Sequence, residues 1–154
     1  MRDGELRPCG PRRHGPPILI GSQLGPRMLR LVAQYADLWN TFLSMPPEEV
    51  ETMLKPLDAA CAAIGRDPAT LGRALLLSVD LPGPRQHPPS TAYGINRADE
   101  IAAGTVLSGE PAVIAARLRA YAEAGIGHII VQLDPDTVEG IKSFAPVLAL
   151  LDGD

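Results

Sequence analysis

The sequence is poor in aromatic residues, at 4% of 154 positions, and it holds two cysteines, one tryptophan and three histidines. So few aromatics leave little material for a base-stacking platform. Lysine and arginine number 14 against 18 acidic residues, a formal charge of −4. The basic surplus that marks a nucleic-acid-binding chain is therefore missing. Cys9 and Cys61 are too few to staple a disulfide scaffold, so a reducing, cytoplasmic setting is the default. No apolar run approaches the ~20 residues of a membrane span. Segment 1–17 is charged and rich in proline and glycine, unlike a signal peptide. No His, Cys or acidic spacing suggests a metal site. No nucleophile motif is present, and no residue stands out as catalytic. Nucleic acid, membrane and metal are thus not expected as partners.

What is present is an ordinary globular balance, 45% apolar and 21% charged, at a length that suits one domain. Residues 1–17 read as an extended arm, and 18–154 as the folded unit. Ile18-Leu19-Ile20 is a short apolar strand closed by Gly21. After Ser22-Gln23-Leu24-Gly25, Pro26 suits the first turn of a helix, since its missing N–H costs nothing there. That helix carries a stripe of Met28, Leu29, Leu31, Val32, Tyr35 and Ala36. Leu38 to Phe42 is a second strand. Ser44 and Pro46-Pro47-Glu48-Glu49 open a second helix, with Val50, Met53, Leu54, Leu57, Cys61 and Ile64 inward and a kink or break expected at Pro56. Ala74 to Val79 is a third strand, apolar throughout, as expected when both faces are covered.

A long proline-rich segment follows from Leu81 to about Gly109, with a short helical piece expected near Ala98–Ala103. Ser108-Gly109-Glu110-Pro111 opens another helix with Val113, Ile114, Leu118 and Tyr121 inward. His128 to Leu133 is the clearest strand. Asp136 and Glu139 form a capping-box pattern ahead of a last helix. That helix is expected to bury Ile141, Phe144, Val147, Leu148 and Leu151 and to bend at Pro146.

Strand and helix alternate, which argues for an α/β fold of parallel strands with right-handed crossovers. Four βα units are half of a closed eight-stranded TIM barrel. An open doubly wound sheet is the alternative, and strand order separates the two: sequential for a barrel portion, reversed about a switch point otherwise.

The run Pro16-Pro17-Ile18-Leu19-Ile20-Gly21, then Gly25-Pro26-Arg27-Met28-Leu29-Arg30-Leu31, then Tyr35-Ala36-Asp37-Leu38-Trp39-Asn40-Thr41, resembles the luciferase-like monooxygenase family. Asp3-Gly4-Glu5-Leu6-Arg7-Pro8 and the stretch from Leu118 to Leu133 are similar as well. The resemblance implies the C-terminal half of a TIM-barrel oxidoreductase, strands five to eight, dependent on FMN or the deazaflavin coenzyme F420. Such an enzyme passes a hydride or oxygenates a substrate.

Such a cofactor carries a phosphate. A strand ending in glycine, a tight turn and a helix N-terminus offer an anion main-chain N–H groups without obstruction. Gly21, Ser22, Gln23, Leu24 and Gly25 have that arrangement, and the resemblance places the phosphate there too. The turn is one residue longer than the family's paired-glycine turn, and Ser22 adds a hydroxyl. Read from pattern alone, the same residues make an ordinary βα turn. The family also uses the second strand end, so Asn40 and Thr41 are candidate cofactor contacts, or else a strand-end cap. Trp39 reads as core or wall. Arg27 lies near the turn and adds charge, or with Arg30 forms a solvated helix face.

His87, after the third strand, is either an acid/base group at a barrel mouth or simply exposed. His128 starts a strand at its stability end. Asp134-Pro135-Asp136 reads as a turn and cap. Cutting a barrel leaves strands Ile18–Ile20 and His128–Leu133 with unpaired edges and uncovers interior side chains. The expected partners are a second copy of the chain or a complementary N-terminal half-barrel. A non-catalytic half-barrel binding a phosphate ligand or a partner chain, and a gene fragment without function, are the competing functional readings.

Overall fold

A computed structural model gives the structure of the chain, and residues 15–41, 45–83 and 106–153 are described. The arm up to residue 14, with Cys9 and His14, lies outside them. So do Phe42, Ser44, the Arg85-Gln86-His87 stretch and the helical piece expected at Ala98–Ala103.

The described elements are β1 (Leu19–Gly21), α1 (Pro26–Tyr35), β2 (Leu38–Thr41), α2 (Pro47–Ala62), a 3-10 turn (Pro68–Thr70), β3 (Gly72–Asp80), β4 (Val106–Ser108), α3 (Pro111–Glu123), β5 (His128–Asp134) and α4 (Val138–Leu151). Every strand pairing is parallel: Leu19 with Leu38, Leu38 with Gly72, Ser78 with Val106, and Ala74 with His128. β3 is the hub. Its first half pairs with β2, its last three residues with β4, and its length from Ala74 to Asp80 with β5. Because Ala74 pairs with both β2 and β5, those strands lie on opposite edges, and β4 shares the β2 side. The four main strands therefore run in chain order, β1-β2-β3-β5. That order is the barrel-portion arrangement and excludes reversal about a switch point. The short strand β4 falls within the segment read as a long connection.

Side chains alternate across each strand. Trp39, Leu75, Leu77 and Val79 turn toward the helices and join Val32, Leu57, Ile114, Tyr121 and Val147 in one core. Two polar anchors fix this layer. The buried Tyr121 hydroxyl donates to the Met45 carbonyl at 2.6 Å, and burial pushes its pKa up. The Arg66 guanidinium donates to the Ala33 and Ala36 carbonyls, at 3.0 and 2.8 Å, satisfying the end of α1.

Several sequence expectations are corrected. Val113 is 55% exposed rather than inward. Leu31, Tyr35 and Ile64 are exposed on their helices. In α4 only Phe144 and Val147 of the expected stripe are buried, while Ile141 and Leu148 face solvent and Leu151 is half-buried. A periodic apolar stripe shows which face a helix could bury, not whether a neighbour is there to cover it. The cap of α4 is Thr137, whose Oγ1 accepts from the Gly140 N–H at 3.1 Å, rather than Asp136. Pro135 sits so close that a Cβ on Gly140 would strike its carbonyl. Of the kink or break expected at Pro56, the break does not occur: α2 stays helical through it, as α4 does through Pro146. Ser108 ends β4, and Glu110 is the N-cap residue of α3. No helix among the described residues is long and apolar enough to cross a membrane.

Candidate cofactor-phosphate site

The C-terminal ends of the strands lie on one rim, the end where parallel α/β barrels carry their chemistry. At this rim β1 passes through Gly21 into the turn Ser22–Gly25 and then into α1. The pairing of Gly21 with Asn40 puts these two residues side by side on the same face of the sheet. The Ser22 N–H continues the ladder by donating to the Asn40 carbonyl at 3.0 Å.

Trp39, fully buried, holds the turn from behind: its indole N–H donates to the Ser22 carbonyl and to Ser22 Oγ, each at 3.2 Å. A buried tryptophan needs an acceptor for that proton, and here the need positions the turn. Ser22 Oγ accepts this bond and keeps its own proton to donate.

Beyond Ser22 the backbone is open. Among the described residues, no acceptor serves the N–H groups of Gln23, Leu24 or Gly25. Gly25 is the N-cap of α1, with no side-chain cap and no acidic residue in the first turn. α2 differs, carrying Glu48 and Glu49 in its first turn, and α4 has its Thr137 cap. The first turn of α1 thus supplies no anion to the positive end of its dipole. A Cβ placed on Gly21 or on Gly25 would meet nothing within 4 Å. Neither has a left-handed φ, so their openness, not their conformational freedom, is what they contribute.

The candidate residues do not all face the same way. Gly21, Ser22 and Asn40 come together at the rim. Gln23 is exposed, whereas Leu24 packs partly into the core, so Leu24 offers only its backbone. Thr41 pairs with Leu75 and so shares its helix-facing side. There it is 2% exposed, and among the described residues its Oγ1 has no hydrogen-bond partner. Asn40 Oδ1 is likewise buried without a partner. Unpaired buried oxygens are uncommon in folded proteins, and these two sit at one strand end, beside the turn. Arg27 and Arg30 are exposed on α1.

Sequence reasoning did not see a second feature of the rim. Asp80, at the end of β3, pairs with Asp134 of β5 on one side and Ser108 of β4 on the other. In-register neighbours point to the same face, so the three form a row. No spacing signal in the chain announces a pairing that only strand register creates. Groups of three or more His, Cys, Asp or Glu suited to a metal are not found among the described residues.

The family described as luciferase-like monooxygenase matches residues 3–80, half of the chain. The chain belongs to the luciferase-like monooxygenase family. Solved structures similar to it include an F420-dependent secondary alcohol dehydrogenase in complex with an F420-acetone adduct (17% identity, TM-score 0.62, covering 88% of this chain and 48% of that one). Riboflavin lyase with modified FMN and substrate riboflavin is another (13%, TM-score 0.66, 90% and 43%). EDTA monooxygenase from Chelativorans sp. BNC1 is a third (15%, TM-score 0.63, 96% and 46%). At these identities the likeness is one of fold. The luciferase-like chain described here spans less than half the length of each of these three. No curated protein matches it.

Proposed function

We propose that this chain supplies the phosphate-holding portion of a flavin- or deazaflavin-dependent oxidoreductase of the luciferase-like family, with FMN or coenzyme F420 as the cofactor. The observation that carries the reading is the Ser22–Gly25 turn. Among the described residues, it has three main-chain N–H groups without acceptors, a helix N-terminus without a side-chain cap behind them, and open space in front of Gly21 and Gly25. This is the arrangement a phosphate group uses. Ser22 Oγ and the side chain of Asn40 extend the polar lining, and Thr41 Oγ1, without a partner among the described residues, lies at the same strand end. Structures of like fold carry an F420-acetone adduct and a modified FMN.

When bound, the isoalloxazine or deazaflavin ring supplies redox chemistry; the residues named here bind and orient the phosphate end. The interior face of the sheet beside the turn carries Leu38, Leu76 and Ile130 partly exposed, an apolar surface compatible with a ring system.

The test compares FMN with riboflavin, which lacks the phosphate. Trp39 is the one tryptophan and touches Ser22, so its fluorescence reports binding. FMN should bind at least tenfold more tightly than riboflavin, and F420 should bind in the same manner. Equal affinity for FMN and riboflavin, or no binding of FMN or F420 at tens of micromolar, overturns the reading.

A further inference from the structure

Arg27 stands in the first turn of α1 and Arg30 just after it, and both are exposed. An arginine is unfavourable at that end, since the positive pole of the helix dipole repels a cation. α2 and α4 carry acidic residues in their first turns instead, Glu48 and Glu49 in one and Glu139 in the other. The other arginines of the described residues are engaged. Arg66 donates to the Ala33 and Ala36 carbonyls and Arg119 to the Leu150 carbonyl. Arg73 pairs with Asp58 at 2.5 Å, and Arg117 with Glu48 at 2.9 Å. Among the described residues neither Arg27 nor Arg30 has a carboxylate or carbonyl partner. This holds although acidic residues outnumber basic ones by 18 to 14 in the chain. Two cations without counterions at the positive end of a dipole are a local conflict, and such conflicts mark functional sites.

The turn that these arginines adjoin is open on both sides. A Cβ on Gly21, where the strand ends, or on Gly25, where the helix begins, meets nothing within 4 Å. A phosphate held by the turn therefore has room for a substituent on each side. On the inner side, the partly exposed Leu38, Leu76 and Ile130 suit a ring system. On the outer side, Arg27 and then Arg30, about one helical turn further on, continue the path. FMN ends at its phosphate, a terminal monoester. Coenzyme F420 is a phosphodiester, and beyond its phosphate runs a tail of glutamate residues bearing several carboxylates.

We propose that Arg27 and Arg30 form a carboxylate subsite for the tail of a deazaflavin phosphodiester, which selects coenzyme F420 over FMN as the ligand of this turn. The proposal rests on the cofactor reading above and adds the outer half of the site. Guanidinium groups recognise carboxylates through paired N–H donors. On an exposed face each such pair contributes modestly and is screened by salt.

The test titrates the 154-residue chain with three deazaflavins, followed by Trp39 fluorescence. One lacks the phosphate, one carries the phosphodiester without glutamates, and one is F420 with several glutamates. In low salt the tailed cofactor should bind about fivefold more tightly than the tail-less phosphodiester, or better. That ratio should fall toward one in about 0.5 M salt. It should also fall to about one in the double variant Arg27→Gln, Arg30→Gln. Both side chains are exposed, and removing cations from the positive end of the dipole should leave the unfolding temperature equal to that of wild type or higher. A lost ratio then reports the subsite rather than the fold. Equal affinity for the tailed and tail-less phosphodiesters overturns the proposal, as does a tail advantage that survives in the double variant. If the phosphodiester still binds more tightly than the phosphate-free deazaflavin in either case, the cofactor reading stands without this subsite. No difference between those two overturns both.

Discussion

Replacing Trp39 by phenylalanine probes the link between core and turn at one position. The indole is fully buried, and its single N–H is shared between the Ser22 carbonyl and Ser22 Oγ at 3.2 Å each. Phenylalanine keeps most of the apolar contact and removes the donor and a few ring atoms. The lost hydrogen bond costs about 1 kcal/mol net. The ring atoms leave a small void and cost about 1–2 kcal/mol more. The sum is a loss of about 2–3 kcal/mol, read by urea unfolding followed by far-ultraviolet circular dichroism. Ser22→Ala is the control: it leaves the carbonyl as acceptor, and a loss of about 0.5 kcal/mol or less is expected. The turn should also loosen in Trp39→Phe, so FMN affinity, read here from the flavin's own fluorescence, should fall by more than in a variant of equal stability loss elsewhere in the core, such as Val147→Ala. A stability loss under 1 kcal/mol, or an unchanged FMN affinity, would refute the reasoning that Trp39 positions the turn.

Other outcomes follow from the packing and the charges. Gly140→Ala should destabilise by at least about 1 kcal/mol in thermal unfolding despite alanine's better helix propensity, because its Cβ would strike the Pro135 carbonyl; a stabilised variant would contradict the packing of α4. A backbone hydrogen bond lowers the Glu48 pKa below its usual 4.5, against burial and with help from the Arg117 guanidinium 2.9 Å away. Its contribution is therefore present above pH 4.5 and lost as the pH falls through the lower folded value. Glu48→Gln should melt lower than wild type at pH 7 and match it at the acid end; a difference that persists below that window would contradict the assignment. Cys61 is buried and burial pushes its thiol pKa up. In a Cys9→Ser background it should resist a thiol reagent at pH 8 until the chain unfolds, and rapid labelling of the native protein would contradict its place in the core.

The parallel fold was legible because its signals are local. Short apolar strands, prolines at helix starts and stripes such as Val50-Met53-Leu54-Leu57-Cys61 carry the βα alternation in the sequence itself. The glycine turn was legible for the same reason: Gly21 and Gly25 bracket Ser22, Gln23 and Leu24 just ahead of Pro26. What escaped was set by neighbours. Ile141 and Leu148 carry the same periodicity as Phe144 and Val147, yet only the latter pair finds a covering element. The Asp80–Asp134–Ser108 row exists only through strand register. The candidates Asn40 and Thr41 are adjacent in sequence and for that reason lie on opposite faces of β2. Thr137 won the α4 cap over Asp136 because the helix begins one residue later than the acidic pattern suggested.

The most direct measurement places a side chain in front of the turn. Gly21 has an ordinary φ, and a Cβ there meets nothing within 4 Å, so Gly21→Val should unfold at a temperature within a few degrees of wild type. If the turn presents its amides to the cofactor phosphate, the same variant should lose at least tenfold in FMN affinity while riboflavin binding barely changes. A folded Gly21→Val chain that binds FMN as well as wild type would contradict the account.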